Sequence, residues 1–345
     1  QVTEVSNYTG HPEIMDGRVK TLHPKVHGGI LARRELDQEV MDDNDIKGID
    51  LVIVNLYPFV ETISKPETTL EEAIENIDIG GPSMLRSAAK NNKYVGVVVD
   101  PEDYNQLLKE MRETEGSLTQ QTRSIFATKA FTHTAAYDTA ISGYLSSIYE
   151  EDFPNRIFSK YQIKEVLRYG ENPHQESAIY SMQKNLNLIQ IHGKKLSYNN
   201  YNDIFSALII SKSLPKNTGT VIVKHTNPCG VSALRDQLNS YQSALSCDPV
   251  SAFGAIVSCN YRIKKKLAIE LNKIFLEVVI ANGFEKDALK ILKRKKKLRL
   301  IDANNLNTSN LNNFTSNFNS ILIQSPDLNK FTIKDLKIVS KKKPT

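Results

Sequence analysis

Cysteine and long apolar runs are scarce in this chain. Its three cysteines, Cys229, Cys247 and Cys259, are odd in number and form no CxxC pair, so the sequence supports neither a disulfide framework nor a structural zinc site. No apolar run approaches the roughly 18 residues of a membrane span, and no positively charged segment followed by an apolar core opens the chain. We therefore expect a cytoplasmic protein with no metal site and no membrane contact.

A strong charge of either sign is also missing. The formal net charge of the 345 residues is +5, and 40% hydrophobic and 24% charged residues match an ordinary globular protein of about two domains. Part of the positive charge lies in the run from Lys293 to Lys297, where no aromatic residue alternates with the cations as a nucleic-acid stacking surface requires. We interpret this run as a solvated helix end. Nucleic-acid binding would instead predict an affinity that falls steeply with salt.

Short β-branched runs that alternate with helical patterns predict an α/β protein with a mostly parallel sheet. The clearest runs are residues 51–54, 94–99, 220–223, 255–258 and 277–281. In such sheets, ligands sit beyond the carboxyl ends of the strands. This rule selects Asn55 and Tyr57, Lys224 and His225, and the residues that follow Ala281.

One break in the helical pattern indicates a domain boundary. A long helical tract covers about residues 119–148, and the Asp-Phe-Pro-Asn segment at 152–155 ends it. We therefore predict a first domain of residues 1–155 and a second domain of residues 156–345.

A basic segment near the start of the chain could hold a phosphate. Arg18, Lys20 and Thr21 place two cations and a hydroxyl within four residues beside glycines, a combination that suits a phosphate monoester. A solvated basic loop is the plainer alternative. We favour the phosphate site because proline and glycine restrain the loop, and because His23 and His27 lie within it.

Polar residues that follow the first strands could read the rest of a nucleotide. The amide of Asn55 and the phenol of Tyr57 suit a base or carboxamide edge, although a strand-ending turn could look the same. Asp78 and Lys90 add a carboxylate and an ammonium. The backbone amides that begin at Gly80 would form a natural seat for an anion at a helix start.

The second half contains two clusters with a catalytic mixture of residues. Residues 167–175 place Arg168 and Tyr169 around a tight turn of glycine and proline, which suggests a pocket for an anionic, planar molecule. Further along, Lys224 beside His225 would disfavour protonation of the imidazole, so His225 could act as a neutral general base while Lys224 stabilises an oxyanion. A structural histidine at a strand end is the alternative.

Two later features receive a weaker interpretation. Phe253 and Gly254 could let a flat heteroaromatic ligand stack and approach closely, although a core phenylalanine is the more common explanation. Cys229 lies in a Pro-Cys-Gly turn, but a second cysteine and a His-x-Glu pair are both missing from its neighbourhood. We therefore reject metal catalysis and interpret Cys229 as a packing residue.

Six stretches of the chain match one enzyme family in that family's order. They are residues 16–29, 55–59, 78–90, 167–175, 196–200 and 224–230. On these stretches the chain resembles the bifunctional family of the last two steps of IMP synthesis. That family joins the formyltransferase of phosphoribosyl-aminoimidazole-carboxamide (AICAR) to IMP cyclohydrolase. The resemblance runs over nearly the whole chain.

This resemblance implies two folds and a role for each matching residue. Residues 1–155 would form a methylglyoxal-synthase-like α/β domain, and residues 156–345 a cytidine-deaminase-like α/β subdomain, the first half of the transformylase. Phosphate binding and the cyclisation pocket would involve Arg18, Lys20, Thr21, Asn55, Tyr57, Asp78, Gly80 and Lys90. Among these, the proton carriers would be Tyr57, Asp78 and Lys90. In the second domain, His225 would be the general base with Lys224 as its electrostatic partner, and the substrate-binding residues would be Arg168, Tyr169, Phe253, Gly254 and Glu277.

The resemblance also implies substrates and partners. 10-Formyltetrahydrofolate would be the cosubstrate that formylates AICAR, and the product FAICAR would close to IMP with loss of water. A homodimer in the cytoplasm is expected, and neither nucleic acid nor a metal is.

The two ends of the chain depart from the family pattern. The family's opening strand and phosphate loop have no counterpart before Gln1, and residues 337–345 resemble the segment that leads into the second transformylase half. We therefore expect a fragment with little transformylase activity and impaired cyclisation on its own. The alternative is a non-catalytic nucleotide-phosphate-binding module with a methylglyoxal-synthase-like fold, against which the Lys224-His225 pair argues.

Overall fold

The structure is a computed structural model that describes residues 2–149, 153–182, 185–306, 313–317, 319–325, 337 and 339. It divides into two compact units, residues 1–160 and residues 161–345. Each unit has a hydrophobic core of its own.

The first unit is mainly helical around a two-stranded sheet. Its strands β1 (Leu51–Ile53) and β2 (Gly96–Val98) pair in parallel. Its helices are α1 (Val5–Thr9), α2 (Pro24–Leu31), α3 (Gln38–Asp43), α4 (Phe59–Ile63), α5 (Leu70–Glu75), α6 (Gly80–Lys90), α7 (Tyr104–Glu113) and α8 (Gln120–Tyr149), with a 3-10 turn at Pro101–Asp103. Within the described ranges, no helix is both long and apolar enough to cross a membrane, the 30-residue α8 included.

Helix α6 connects the sheet of this unit to its longest helix. Leu85 and Ala88 of α6 are buried in one cluster with Val97 of β2 and Phe126 of α8. Residues three apart lie on the same face of a helix, so one face of α6 provides this packing. The packing fixes the amino end of α6 at Gly80.

The second unit contains a six-stranded mixed sheet. In spatial order its strands are β5 (Ile189–His192), β10 (Arg299–Asp302), β9 (Val278–Ala281), β8 (Ile256–Cys259), β6 (Gly219–Lys224) and β7 (Asn227–Ala233). Strands β8, β9 and β10 run parallel, whereas β6 is antiparallel to both of its neighbours and β5 is antiparallel to β10. Two separate hairpins pair β3 (Gln162–Leu167) with β4 (Ser177–Ser181), and β11 (Asn313–Asn317) with β12 (Ser320–Gln324).

Helices cover both faces of this sheet. They are α9 (Tyr198–Ser213) on one face and α10 (Gln237–Cys247), α11 (Lys265–Leu271) and α12 (Lys286–Leu292) on the other. Strand β6 shows the alternation that such a sandwich requires, because Val221 and Val223 pack with Ile204 of α9 while Ile222 packs with Tyr241 of α10.

The mixed sheet corrects the prediction of a mostly parallel one. Because β6 runs antiparallel to β8, with Val223 paired to Ile256, the carboxyl end of β6 lies beside the amino ends of β8 and β9. Lys224 therefore lies at the same end of the sheet as the residues that precede those strands. The residues after Ala281 lie at the opposite end, where the parallel strands finish. The strand-end rule therefore selected two groups that the sheet keeps apart.

Strand β7 explains why the sequence did not reveal this reversal. Its first residues, Asn227-Pro228-Cys229-Gly230, have the composition of a turn, yet they form the edge strand of the sheet. A proline is tolerated there because an edge strand can leave one side of its ladder unpaired. Gly230 is required for packing, since a Cβ atom at this position would clash with the carbonyl oxygen of Ala244 in α10.

Candidate active sites

A cavity of about 550 Å³ in the first unit gathers most of the residues predicted there. It opens between the loop before α2, the ends of β1 and α5, and the start of α6. The predicted residues in its lining are Arg18, Lys20, Thr21, Asn55, Tyr57, Asp78 and Gly80. Separate parts of the sequence thus converge on one concave surface, which is the arrangement that a small-molecule site requires.

Gly80 brings the start of α6 against Thr21. A Cβ atom on Gly80 would lie 2.6 Å from Oγ1 of Thr21, closer than any unbonded carbon and oxygen can approach. Only glycine therefore lets the Thr21 hydroxyl sit beside the first turn of α6. In that turn the amide of Gly81 donates to Asp78 and the amide of Ser83 donates to the carbonyl of Ile79, while Pro82 has no amide hydrogen. The Gly80 amide and the Thr21 hydroxyl are therefore the groups left in this turn to bind a phosphate oxygen.

Asp78 is held in place from several directions. Its Oδ1 accepts from the amide of Gly81 at 2.8 Å, and its Oδ2 accepts from the amide of Tyr57 at 3.4 Å. The amide of Asp78 itself donates to Oη of Tyr137 at 2.8 Å. Burial raises the pKa of that phenol above its ordinary value. Asp78 thus orders the cavity wall as well as offering a carboxylate to it.

The two predicted phosphate cations are paired with carboxylates. Arg18 forms an ion pair with Glu75, which also lines the cavity, and Nζ of Lys20 lies 2.7 Å from Oε2 of Glu13. The hydrogen bond to Glu13, followed by the charge of that carboxylate, raises the pKa of the Lys20 ammonium above its ordinary value. An entering phosphate would have to displace these exposed carboxylates, which weak surface pairing permits.

Lys90 is the predicted residue of the first unit that this cavity leaves out. It is the last residue of α6, whereas Gly80 is the first. At a rise of 1.5 Å per residue, the two Cα atoms are about 15 Å apart along the helix. The geometry therefore gives no support to a role in the cavity for the exposed Lys90 side chain.

The two histidines of the basic segment have structural contacts. His23 is the N-cap of α2, with its Nδ1 accepting from the amide of Lys25 at 3.2 Å. Nδ1 of His27 lies 3.0 Å from Oγ of Ser87 on α6, and burial lowers the pKa of His27. Neither lines the cavity, so helix capping and packing account for the two histidines that favoured a phosphate site in the sequence.

In the second unit, His225 and Thr226 form the tip of a hairpin. Lys224 of β6 pairs with Asn227 of β7, which leaves a turn of two residues whose φ angles are 53° and 63°. Two central residues with positive φ are the mark of a type I′ turn, which normally takes Asn-Gly. A β-branched threonine in this region is strained. The turn exposes His225, as a base that must reach a substrate requires.

Lys224 lies beside Phe253 and Gly254, because all three are at the same end of the sheet. Nζ of Lys224 donates to the carbonyl oxygen of Phe253 at 2.9 Å, and the amide of Gly254 donates to the carbonyl of Phe275 at 2.8 Å. The Phe253 ring is 62% exposed and lies 5.4 Å from the Phe275 ring between centroids. A ring that is both exposed and supported from behind can stack on a flat ligand, so the core explanation for Phe253 is wrong.

Arg168 and Tyr169 begin the loop of the β3–β4 hairpin. The loop is closed by its own contacts, since Gly170 donates to the carbonyl of Gln175 at 2.6 Å and Ser177 donates to the carbonyl of Tyr169 at 2.7 Å. The guanidinium carbon of Arg168 lies 5.3 Å from the centre of the Tyr169 ring, a cation–π distance. Arg168 is thereby held at the surface with its donors available.

Helix α9 ties this loop to the His225 turn. Nδ2 of Asn199 donates to the carbonyl of Glu171 at 3.2 Å, and Oδ1 of Asp203 accepts from the amide of Thr226 at 2.7 Å. Asn199 and Asp203 are four residues apart, hence on one face of the helix. One face of α9 thus holds both clusters that the sequence identified.

Comparison with known proteins identifies the family to which the chain belongs. An MGS-like domain matches residues 1–83, and the AICARFT/IMPCHase bienzyme matches residues 88–345, three quarters of the chain. The chain belongs to the AICARFT/IMPCHase bienzyme family. Among its relatives, the bifunctional purine biosynthesis proteins PurH of Bacillus cytotoxicus and Bacillus cereus are each 47% identical to it over 353 residues. Both alignments cover 100% of this chain and 69% of the relative.

A solved structure described as ForH also matches, with 36% identity over 44% of this chain and 78% of that chain and a TM-score of 0.40. The bienzyme match confirms the resemblance and the fold class predicted from the sequence, an MGS-like domain followed by a mixed α/β domain. The two matched regions meet inside α6, whereas the compact units of the structure separate after residue 160.

Glu277 has a structural partner in the bienzyme chain. Its carboxylate forms an ion pair with Arg299, whose side chain is 7% exposed while that of Glu277 is 37% exposed. The Nε of Arg299 also donates to the carbonyl of Lys195 at 3.3 Å. Glu277 therefore neutralises a buried guanidinium, a role that competes with the ligand contact predicted for it.

Two residues that position the second site were not predicted from the sequence. Asn199 lies in one of the matched stretches but was given no role, and Asp203 was not selected. The available signal was the capping box in which Ser197 and Asn200 exchange hydrogen bonds at the start of α9. That signal locates the helix, but it does not show which loops the next turn contacts.

Proposed function

We propose that this chain catalyses formyl transfer from 10-formyltetrahydrofolate to AICAR and closure of FAICAR to IMP. One observation carries the first activity. The hairpin tip presents an exposed His225 beside Lys224, on the same face of α9 as the loop of Arg168 and Tyr169. Membership of the bienzyme family supports the pairing of the two activities in one chain.

The formyl transfer needs help with a poor nucleophile. The lone pair of the AICAR amine is delocalised toward the carboxamide, so attack on the formyl carbon needs proton removal and oxyanion stabilisation together. His225 would take the amine proton while Lys224 faces the developing oxyanion. The new C–N bond then replaces the bond between the formyl carbon and the folate nitrogen, which leaves protonated.

Substrate positions follow from the surrounding side chains. Arg168 would bind the phosphate, because a guanidinium fork matches phosphate oxygens. Tyr169 and the exposed ring of Phe253 would hold the flat rings, and Gly254, with a φ of 75°, would allow close approach. Glu277 is the least supported of the predicted contacts, since Arg299 occupies its carboxylate.

Ring closure is assigned to the cavity of the first unit. The reaction is intramolecular, so holding the formyl carbon against the carboxamide nitrogen supplies most of the acceleration. Arg18, Lys20 and Thr21 would hold the phosphate at the start of α6. Tyr57 and Asp78 would carry protons as water leaves, and both line the cavity.

Three further features remain part of this proposal. The cosubstrate is a reduced folate, the assembly is a homodimer, and the location is the cytoplasm. The proposed reaction supports the folate, because formyl transfer needs a donor of an activated formyl group. The exposed Phe253 ring supports it as well, since a pterin is a flat heteroaromatic ring.

Single-turnover kinetics with enzyme in excess test the transformylase assignment even when the rate is low. Lys224→Met and His225→Asn should each lower the rate of formyl transfer by about 100-fold or more, the usual value of a general base. The Kd of AICAR should change less than about threefold, since neither side chain grips the phosphate. Lys216→Met, at an exposed lysine just before β6, is the matched control and should keep the full rate.

The same experiment separates catalysis from binding alone. A chain that binds AICAR saturably and forms no FAICAR in a single turnover would be the non-catalytic phosphate-binding module, and the transformylase assignment would fall. Unchanged rates in both variants would remove Lys224 and His225 from the mechanism.

A further inference from the structure

The second unit has another cavity, at the end of the sheet opposite to Lys224. Its volume is about 1030 Å³. It lies beyond the carboxyl ends of β7 and β8 and beside the starts of α10 and α11, where Tyr261 and Arg262 follow β8. Strands β8 and β9 are parallel, and α/β sheets commonly bind ligands at the carboxyl ends of such strands. The proposed formyl transfer does not use it.

The lining of this cavity is strongly basic. Its cations are Arg235, Arg262, Lys264, Lys265 and Lys266, against the two carboxylates of Asp236 and Glu285. Asp236 is occupied as the cap of α10, with its Oδ1 accepting from the amide of Asn239 at 2.9 Å. The five cations and two carboxylates still give the lining a formal net charge of +3.

Three of these cations lack a neutralising partner among the described residues. Within the part of the chain that the structure describes, the side chains of Arg235, Lys264 and Lys266 make neither an ion pair nor a hydrogen bond. By contrast, Lys265 lies 4.0 Å from Asp287, and Arg262 donates to the carbonyl of Phe284 at 3.2 Å. Like charges held together without counter-charges raise the free energy of the folded chain, and an anion would offset this cost.

The loop that carries the cations is fixed in advance. Gln237, in the first turn of α10, donates from Nε2 to the carbonyl of Arg262 at 2.9 Å and accepts at Oε1 from the amide of Lys264 at 3.1 Å. One side chain therefore clamps the backbone on both sides of Ile263, which is buried. Little backbone conformational entropy would be lost when this loop meets a ligand.

The residues that line the cavity suit a phosphate chain better than a base. Tyr261, the aromatic residue of the lining, is 2% exposed and offers no face for stacking. Two arginines and three lysines line it, and guanidinium and ammonium groups favour closely spaced anionic oxygens. We propose that this cavity binds a compact polyanion of two or more linked phosphates, with Arg235, Arg262 and Lys264 as its main contacts.

Calorimetric titration of the 345-residue chain with inorganic tripolyphosphate tests this site. Arg235→Gln combined with Lys264→Gln should weaken binding at least about tenfold, because two charged contacts are lost. The matched control is Lys293→Gln combined with Arg294→Gln, which removes the same charges from exposed positions outside the cavity. It should weaken binding less than about twofold. Inorganic orthophosphate should bind at least about tenfold more weakly than the chain of three phosphates.

Three results would overturn the proposal. Equal weakening in both double variants would mean that tripolyphosphate responds to net charge and not to this cavity. No saturable binding at millimolar tripolyphosphate would mean that the cavity is only a solvated basic surface. Displacement of tripolyphosphate by a short DNA duplex, with the same dependence on Arg235 and Lys264, would make this a nucleic-acid surface instead.

Discussion

Asp203 restrains the turn that presents His225, because its Oδ1 accepts the amide hydrogen of Thr226 at 2.7 Å. The turn needs such a restraint. Both of its central residues have positive φ, and Thr226 is β-branched. The carboxylate stabilises a backbone conformation that the sequence of the turn disfavours, and it does so from the helix that also contacts the Arg168 loop.

Removing this carboxylate should slow formyl transfer without abolishing substrate binding. We expect Asp203→Ala to lower the single-turnover rate about tenfold or more, since a hydrogen bond to a charged group contributes about 1.5–3 kcal/mol. Asp203→Asn should restore most of the rate, because an amide oxygen can still accept from Thr226. The Kd of AICAR should stay nearly constant across both variants.

Asn202→Ala is the control for this series, because Asn202 is the exposed neighbour on α9. Its single-turnover rate and its Kd for AICAR should equal those of the unmodified chain. If Asp203→Asn were as slow as Asp203→Ala, the charge of Asp203 rather than its hydrogen bond would matter, and the positioning role would be wrong.

Gly80→Ala should weaken nucleotide binding in the first unit. The added methyl would meet the Thr21 hydroxyl at 2.6 Å, so this hydroxyl must turn or shift away from the start of α6. We expect the Kd of IMP, measured by calorimetry, to rise about tenfold, which corresponds to about 1.4 kcal/mol.

Gly143→Ala is the matched substitution for this test. Gly143 lies in the exposed part of α8, and a Cβ atom there would meet nothing within 4 Å. Alanine should stabilise the helix by about 0.5–1 kcal/mol and leave IMP binding unchanged. Equal IMP affinity in the Gly80→Ala and Gly143→Ala chains would show that the Thr21 contact plays no part in binding.

The sequence was most informative where one residue type served one local need. The strand at residues 220–223 and the helix start near Gly80 were found because β-branched runs and glycines have few alternative uses. The direction of β6 was missed, because a strand's composition does not encode its orientation. Strand β7 was missed because Pro228 and Gly230 are typical of turns, and only burial against α10 makes them part of a sheet.

Long-range pairing was beyond the sequence in the site as well. Nothing in residues 196–203 indicates that Asn199 contacts Glu171 or that Asp203 contacts Thr226, since both contacts depend on how α9 packs on the sheet. Glu277 shows the converse. Its match to a ligand position was visible in the sequence, whereas its buried partner Arg299 was not.

Glu277→Gln should destabilise the second unit whether or not Glu277 contacts substrate. The guanidinium of Arg299 is 7% exposed, so losing its carboxylate leaves a buried charge without compensation. We expect a loss on the order of 2 kcal/mol in the free energy of unfolding, measured by urea denaturation. The double variant Glu277→Gln with Arg299→Met should recover part of it, because the buried charge is gone. A double variant less stable than the sum of both single changes would contradict this pairing.

The stability of the first unit should depend on the protonation of His27. Burial lowers the pKa of His27 below its ordinary value of 6.5, so the folded chain favours the neutral imidazole. Between the lowered pKa and 6.5, the unfolded chain binds more protons than the folded one, and the free energy of unfolding must fall as the pH falls through this window. The contribution is fully present above pH 6.5.

Replacing His27 by glutamine should flatten this dependence. Glutamine can keep a hydrogen bond to Ser87 and does not titrate, so thermal unfolding of the His27→Gln chain should vary less between pH 7.5 and pH 5 (about the range of histidine titration). His133, whose pKa burial also lowers, should leave a residual slope. His11→Gln, at an exposed histidine, is the control and should keep the original slope. A slope that persists unchanged in His27→Gln would assign the pH dependence to His133 or to the carboxylates, since the buried imidazole could then no longer be its source.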